Sequence, residues 1–88
     1  MRLYFKHCPE TKETCEHWET KAFAGKGDNP NFFAYGIVKI DEMAFEIWIF
    51  DPFFKGISQE FLAHRTSLKE AKDFCKLDIE ERILKQQK

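Results

Sequence analysis

Two histidines and two cysteines lie close together near the N-terminus, and they are residue types that bind zinc. The segment runs from His7-Cys8 through a six-residue gap to Cys15-x-His17. Structural zinc sites use four tetrahedral nitrogen or sulfur ligands, usually in pairs separated by about two to four residues. The gap here is wider, and no second close pair follows. The spacing therefore favours incidental placement and no metal site. The alternatives are a small zinc-stabilised domain with Cys8, Cys15 and His17 as candidate ligands and His64 as a further one, and a Cys8–Cys15 disulfide.

The sequence offers few groups for catalysis. Ser67 opens a predicted helix, and Ser58 does not sit in a glycine-flanked turn of the nucleophile-elbow kind. A Cys75–His64 dyad is conceivable, but Cys75 falls on the apolar side of the same predicted helix, where a buried thiol is unreactive. The chain has no glycine-rich phosphate-binding loop of the known patterns. We therefore expect a non-enzymatic protein without a cofactor.

The charge and the cysteine content indicate which class of partner the protein binds and which cellular compartment it occupies. The 88 residues carry 14 basic and 15 acidic side chains, a net charge of -1, and the two signs are interleaved. This charge pattern argues against nucleic acid as a partner, because duplex-binding domains usually carry a basic stripe. Three cysteines are too few for a disulfide scaffold. Neither a membrane span nor a secretory signal is predicted, so we expect a cytoplasmic protein.

The strongest strand patterns lie in the middle of the chain. Residues 32–40 and 43–50 are rich in aromatic and β-branched side chains, and Asp41-Glu42 separates them as a two-residue hairpin connection. Residues 57–65 can return as a third strand, with Phe61 and Ala63 on one face. The pattern predicts a β-meander over 32–65.

A C-terminal helix over 67–84 is the clearest single element. Ser67-x-x-Glu70 is a capping box, in which the serine hydroxyl accepts a backbone N–H and the carboxylate reaches back. A core-facing apolar stripe follows at helical spacing, made of Leu68, Ala71, Cys75, Ile79 and Ile83.

The N-terminal third is harder to assign. Residues 1–7 alternate as a half-buried strand. Residues 8–31 fit an irregular or helical insertion, because Pro9 is followed by acidic residues as at a helix start. An extended conformation of residues 17–24 fits almost equally well. The whole chain is predicted to be one two-layer α+β domain, a three- to four-stranded antiparallel sheet packed by the C-terminal helix.

Aromatic side chains are unusually abundant, at 16% of the chain with ten phenylalanines. Alternation places Trp48 and Phe50 on the opposite strand face from Phe45, Ile47 and Ile49. One helix covers only one face of a sheet. If Phe45, Ile47 and Ile49 lie under the helix, Trp48 and Phe50 leave apolar surface on the uncovered face. Such a patch marks a protein interaction site. The candidate partner-binding residues are Trp48, Phe50, Phe53 and Phe54, with Glu46 at the rim.

Three other uses of this apolar surface stay open. Residues 8–31 can fold over it as a lid, or a second copy of the chain can cover it in a homodimer. It can also stack nucleic acid bases, but the hairpin region supplies only Lys39 and Lys55 as basic neighbours.

In residues 33–84 a predicted sheet is followed by the helix opening Thr66-Ser67-Leu68-x-Glu70-Ala71-Lys72, and the helix closes with Glu81-Arg82-Ile83. This pattern resembles small phage- and prophage-encoded accessory proteins. The resemblance implies a viral protein that binds and inhibits or modulates a host complex, such as a CRISPR or restriction defence system, in the bacterial cytoplasm. It implies no particular target and no functional residue.

Overall fold

The structure is a computed structural model that describes residues 3–21, 23–24, 32–51 and 59–86. Within these ranges six strands and one helix follow one another. In chain order they are β1 (Phe5–Cys8), β2 (His17–Thr20), β3 (Phe23–Ala24), β4 (Phe32–Asp41), β5 (Ala44–Phe50), β6 (Gln59–Arg65) and α1 (Leu68–Gln86).

Five strands form one antiparallel sheet in the spatial order β1-β2-β4-β5-β6, and the short β3 pairs with β4 outside this path. The helix α1 packs against β4, β5 and β6. The predicted α+β class, meander and C-terminal helix are confirmed, but the predicted count of three to four strands is wrong. The sheet is wider because β2 inserts between β1 and β4.

The helical alternative for residues 8–31 is wrong where the structure describes them. His17–Thr20 is a strand that pairs with both β1 and β4, and Trp18 packs against the core. The acidic residues after Pro9 lie in an irregular connection instead. There the Thr11 hydroxyl accepts the backbone N–H groups of Glu13 and Thr14, at 3.2 and 3.0 Å. This hydroxyl offers the backbone an alternative to a helix.

The hairpin between β4 and β5 turns one residue later than predicted. Asp41 pairs with Ala44, so Glu42 and Met43 form the two-residue connection. The Asp41 carboxylate accepts the backbone N–H of Glu42 at 2.7 Å. The pairing shifts between Lys39 and Asp41, which makes the exposed Ile40 the extra residue of a β-bulge.

A second bulge changes the faces of β6. Ala63 pairs with Ile47 while Phe61 pairs with Trp48, so Leu62 is the extra residue between them. Leu62 and Ala63 consequently both pack against the core. The prediction that Phe61 and Ala63 share a face is therefore wrong, because a bulge interrupts the two-residue period of a strand.

The core lies between α1 and one face of the sheet. Its buried side chains are Tyr35, Ile37, Phe45, Ile47, Ile49, Ala71, Cys75 and Ile79. The Glu70 backbone N–H donates to the Ser67 hydroxyl at 3.2 Å, as a capping box requires, whereas the Glu70 carboxylate accepts from the Thr66 hydroxyl at 2.9 Å. The predicted helix start and the buried part of the stripe are confirmed.

Among the described residues, no helix combines the length and the apolar character needed to cross a bilayer.

Candidate functional site

The sheet face turned away from α1, called the open face below, carries the candidate residues. Residues directly opposite one another in antiparallel strands point to the same side. The pairing therefore aligns two rows of open-face residues across the sheet. One row is Lys6, Glu19, Gly36, Trp48 and Phe61, and the other is Cys8, His17, Val38, Glu46 and His64.

Three aromatic rings on the open face, Trp48, Phe50 and Phe61, form what we call the aromatic cluster. The Trp48 and Phe61 rings meet edge to face, with centroids 5.4 Å apart. Trp48 and Phe50 are half-buried, whereas 46% of Phe61 is exposed. The predicted division of β5 into two faces is confirmed, since Phe45, Ile47 and Ile49 are buried on the helix side.

The small β4 residues Ala34 and Gly36 lie next to the Phe50 ring. Ala34 pairs with Phe50 and is buried. Gly36 has no side chain, and the Phe50 ring lies 3.5 Å from where its Cβ would be. The Phe50 ring thus covers bare backbone, a contact by which aromatic rings stabilise glycine in sheets. Phe50 is therefore less available to a partner than Phe61.

Acidic groups outnumber basic ones on the paired part of this face. The register places Glu19 and Glu46 here, with Lys6 as their basic counterpart. The Trp48 indole N–H donates to the Glu46 carboxylate at 3.4 Å, which fixes the carboxylate beside the ring. Glu46 thus lies beside the aromatic cluster on the open face.

Cys8, His17 and Glu19 form a second group on the open face, at the β1–β2 end. One ligand atom from each lies within 4.8 Å of the others, and all three residues are half-buried. The His17 Nε2 atom is 3.1 Å from a Glu19 carboxylate oxygen, and its Nδ1 atom is 2.9 Å from the carbonyl oxygen of Cys15. We call this group the Cys8–His17–Glu19 cluster.

The structure brings only some of the predicted zinc-ligand and disulfide candidates together. Cys8 and His17 lie close together, but the exposed Cys15 contributes a backbone carbonyl rather than its thiol. Both thiols are free, so the Cys8–Cys15 disulfide is not formed. The partner-binding candidates Phe53 and Phe54 lie outside the described residues.

The Cys75–His64 dyad is not formed. His64 pairs with Glu46 on the open face, whereas Cys75 is fully buried between α1 and the other face. Burial raises the pKa of the Cys75 thiol to about 12. A thiol in this environment is a core side chain rather than a nucleophile.

The opposite face of β1 and β2 carries a different polar group. The His7 Nε2 atom lies 2.7 Å from the Glu16 carboxylate, and its ring stacks on Trp18 with centroids 5.1 Å apart. Glu16 also contacts Lys39 at 3.6 Å. The His7 hydrogen bond, helped by Lys39, lowers the pKa of Glu16. These contacts fasten the connection between β1 and β2 onto β4.

Glu19 in the Cys8–His17–Glu19 cluster and Phe61 in the aromatic cluster are not predicted from the sequence. Glu19 joins the cluster because His17 and Glu19 share a face once the segment is extended, so the extended alternative contained the signal. Phe61 joins the aromatic cluster because of the bulge at Leu62, which no local pattern in the sequence reveals.

Comparison of the chain with protein-family models, with curated proteins and with solved structures finds no match.

Proposed function

We propose that this protein is a non-enzymatic binding module that docks another protein on its open face. The observation that carries the proposal is the aromatic cluster, which has an edge-to-face pair at its centre and an exposed ring in Phe61. Aromatic side chains dominate the energetic centres of protein interfaces because they bury much apolar area with few rotatable bonds. The phage-type inhibitor of a host complex stays a prediction from the resemblance alone.

The charges beside the cluster define the partner. Glu46 is held against Trp48, and Glu19 lies in the same row as Trp48 and Phe61. A partner that presents an apolar patch rimmed by lysine or arginine complements this arrangement. A second copy of the chain brings the same excess of acid and is disfavoured. Phosphate groups are repelled for the same reason, which argues against the nucleic acid alternative.

Affinity capture with paired variants tests the proposal. The variant Trp48→Ala/Phe61→Ala removes the edge-to-face pair of the aromatic cluster. The control Met43→Ala/Leu77→Ala removes two apolar side chains elsewhere, which are 73% and 66% exposed. We expect a partner bound by the wild type to bind the control variant equally. The cluster variant should lose at least about 30-fold in affinity, or ~2 kcal/mol, as at an interface hot spot.

A milder variant separates binding from folding. In Phe61→Lys the lysine stem still covers the Trp48 ring, so the melting temperature should change little while docking is lost. Equal binding by wild type and Phe61→Lys would contradict the proposal. Capture of nothing but a second copy of the chain would replace it with self-association.

A further inference from the structure

The Cys8–His17–Glu19 cluster combines three zinc-ligand chemistries on one side of two paired strands. Cys8 lies directly opposite His17, and Glu19 follows two residues later on the same face. A thiolate, an imidazole nitrogen and a carboxylate oxygen are each common zinc ligands. Their ligand atoms already lie within 4.8 Å of one another.

The hydrogen bonds of His17 point its Nε2 atom at the centre of the cluster. A carbonyl oxygen only accepts hydrogen bonds, so the Nδ1 atom, 2.9 Å from the Cys15 carbonyl, carries a proton. In the neutral ring the Nε2 lone pair then faces the Glu19 carboxylate oxygen at 3.1 Å. Two lone pairs at this distance require a cation between them, either a proton or a metal ion. Histidine ligands of metals typically donate their other N–H to a carbonyl in this manner.

We propose that Cys8, His17 and Glu19 bind one zinc ion through Sγ, Nε2 and a carboxylate oxygen. Bond lengths of about 2.0–2.3 Å put the ligand atoms of tetrahedral zinc ~3.3–3.6 Å apart. The His17 Nε2 atom and the Glu19 oxygen are 3.1 Å apart, which is close to this ligand–ligand distance. On binding, it is therefore the Cys8 sulfur that must move closer to the other two ligand atoms. Binding replaces the thiol proton of Cys8, which passes to solvent.

Cys8, His17 and Glu19 supply three of the four ligands of a tetrahedral zinc ion. A zinc ion bound here links the edge strand β1 to β2, because its ligands come from both strands. The proposed zinc site shares Glu19 with the charged surroundings of the aromatic cluster, but none of the cluster's rings is a ligand.

Titration with Zn²⁺ and with Co²⁺ as a spectroscopic probe tests the site in the full chain after treatment with a chelator. We expect one ion per chain, a thiolate-to-cobalt charge-transfer band, and a rise in melting temperature with Zn²⁺. Cys8→Ser should abolish the band. His17→Gln and Glu19→Gln should each weaken Zn²⁺ binding by more than about 10–100-fold, the loss typical of a change beyond the ligands themselves.

The same segment supplies a matched control. Cys15→Ser and His7→Gln remove the same residue types within the same two strands and their connection, but outside the cluster. Both variants should bind Zn²⁺ as the wild type does. Failure of the wild type to bind Zn²⁺, or an equal loss in Cys15→Ser and Cys8→Ser, would overturn the proposal. Circular dichroism of each metal-free variant shows whether it is folded, so that misfolding is not read as loss of a ligand.

Discussion

Tyr35 is a fully buried residue whose hydroxyl joins the sheet to the helix. It donates to the Asp78 carboxylate, which also accepts from the Arg82 Nε atom at 2.6 Å. Burial, followed by the neighbouring Asp78, raises the pKa of Tyr35 above its ordinary value of 10.0. The phenol is therefore neutral throughout the physiological range and acts as a hydrogen-bond donor inside the core.

Replacing Tyr35 with phenylalanine should lower the free energy of unfolding by about 1.5–3 kcal/mol, the range for a hydrogen bond to a charged partner. Urea denaturation at neutral pH measures the change. Tyr4→Phe is the matched control, because Tyr4 is 69% exposed and its change should stay within about 0.5 kcal/mol. Equal stability of the Tyr35→Phe protein and the control would mean that the Asp78 contact contributes nothing.

Cys75 gives the protein a pH dependence in the alkaline range. Its pKa rises from 9.0 in the unfolded chain to about 12 in the fold because of burial. Above pH 9 the unfolded state loses the thiol proton while the native state keeps it, so stability falls as pH rises. Between pH 9 and pH 10 the loss is about 1 kcal/mol. The Cys75→Ala variant should be less stable than the wild type at pH 8. Between pH 9 and pH 10, however, its free energy of unfolding should fall by less than that of the wild type. Parallel pH profiles of the two proteins would exclude this role.

At the scale of elements, β2 joins the sheet with help from a side chain. Its backbone pairing with β4 extends through Glu19 and Gly36, and beyond that point the Thr20 hydroxyl accepts the Tyr35 backbone N–H at 3.0 Å. Thr20 is buried, so no water replaces this acceptor readily. The hydroxyl thus continues the ladder where the two backbones diverge.

Thr20→Val keeps the shape of the side chain but removes this acceptor. We expect a loss of about 1–3 kcal/mol, because a buried donor is left unsatisfied. Hydrogen exchange at the Tyr35 amide should accelerate more than at other amides of β4. Thr20→Ser retains the hydroxyl and should keep that amide protected. Unchanged exchange at Tyr35 in Thr20→Val would show that the bond is dispensable.

The elements differ in how far the sequence alone determines them. The helix was predictable because two independent signals are consistent. Ser67 and Glu70 mark its start, and the spacing of the apolar residues marks its buried side. The strand β2 was ambiguous because Trp18 faces the core whereas His17 and Glu19 face outward, and four residues are too few to establish a period. The bulges at Ile40 and Leu62 depend on pairing with β5, so local patterns cannot locate them.

For the whole molecule, the wider sheet explains where most of the aromatic side chains go. Since β1 and β2 extend the face beneath α1, Phe5 and Trp18 pack against the core together with Phe74 of the helix. Trp48, Phe50 and Phe61 stay on the open face as the aromatic cluster. Among the described residues, the aromatic surface left outside the core is thus smaller than the composition indicates.

Photo-crosslinking from the open face tests the docking proposal most directly. A photoreactive phenylalanine analogue replaces Phe61 in one version of the protein and the exposed Leu77 of the helix in another. We predict that the analogue at position 61 crosslinks to a different protein, and that the analogue at position 77 does not. Crosslinking from position 77 with none from position 61, or crosslinking from position 61 only to a second copy, would contradict the account.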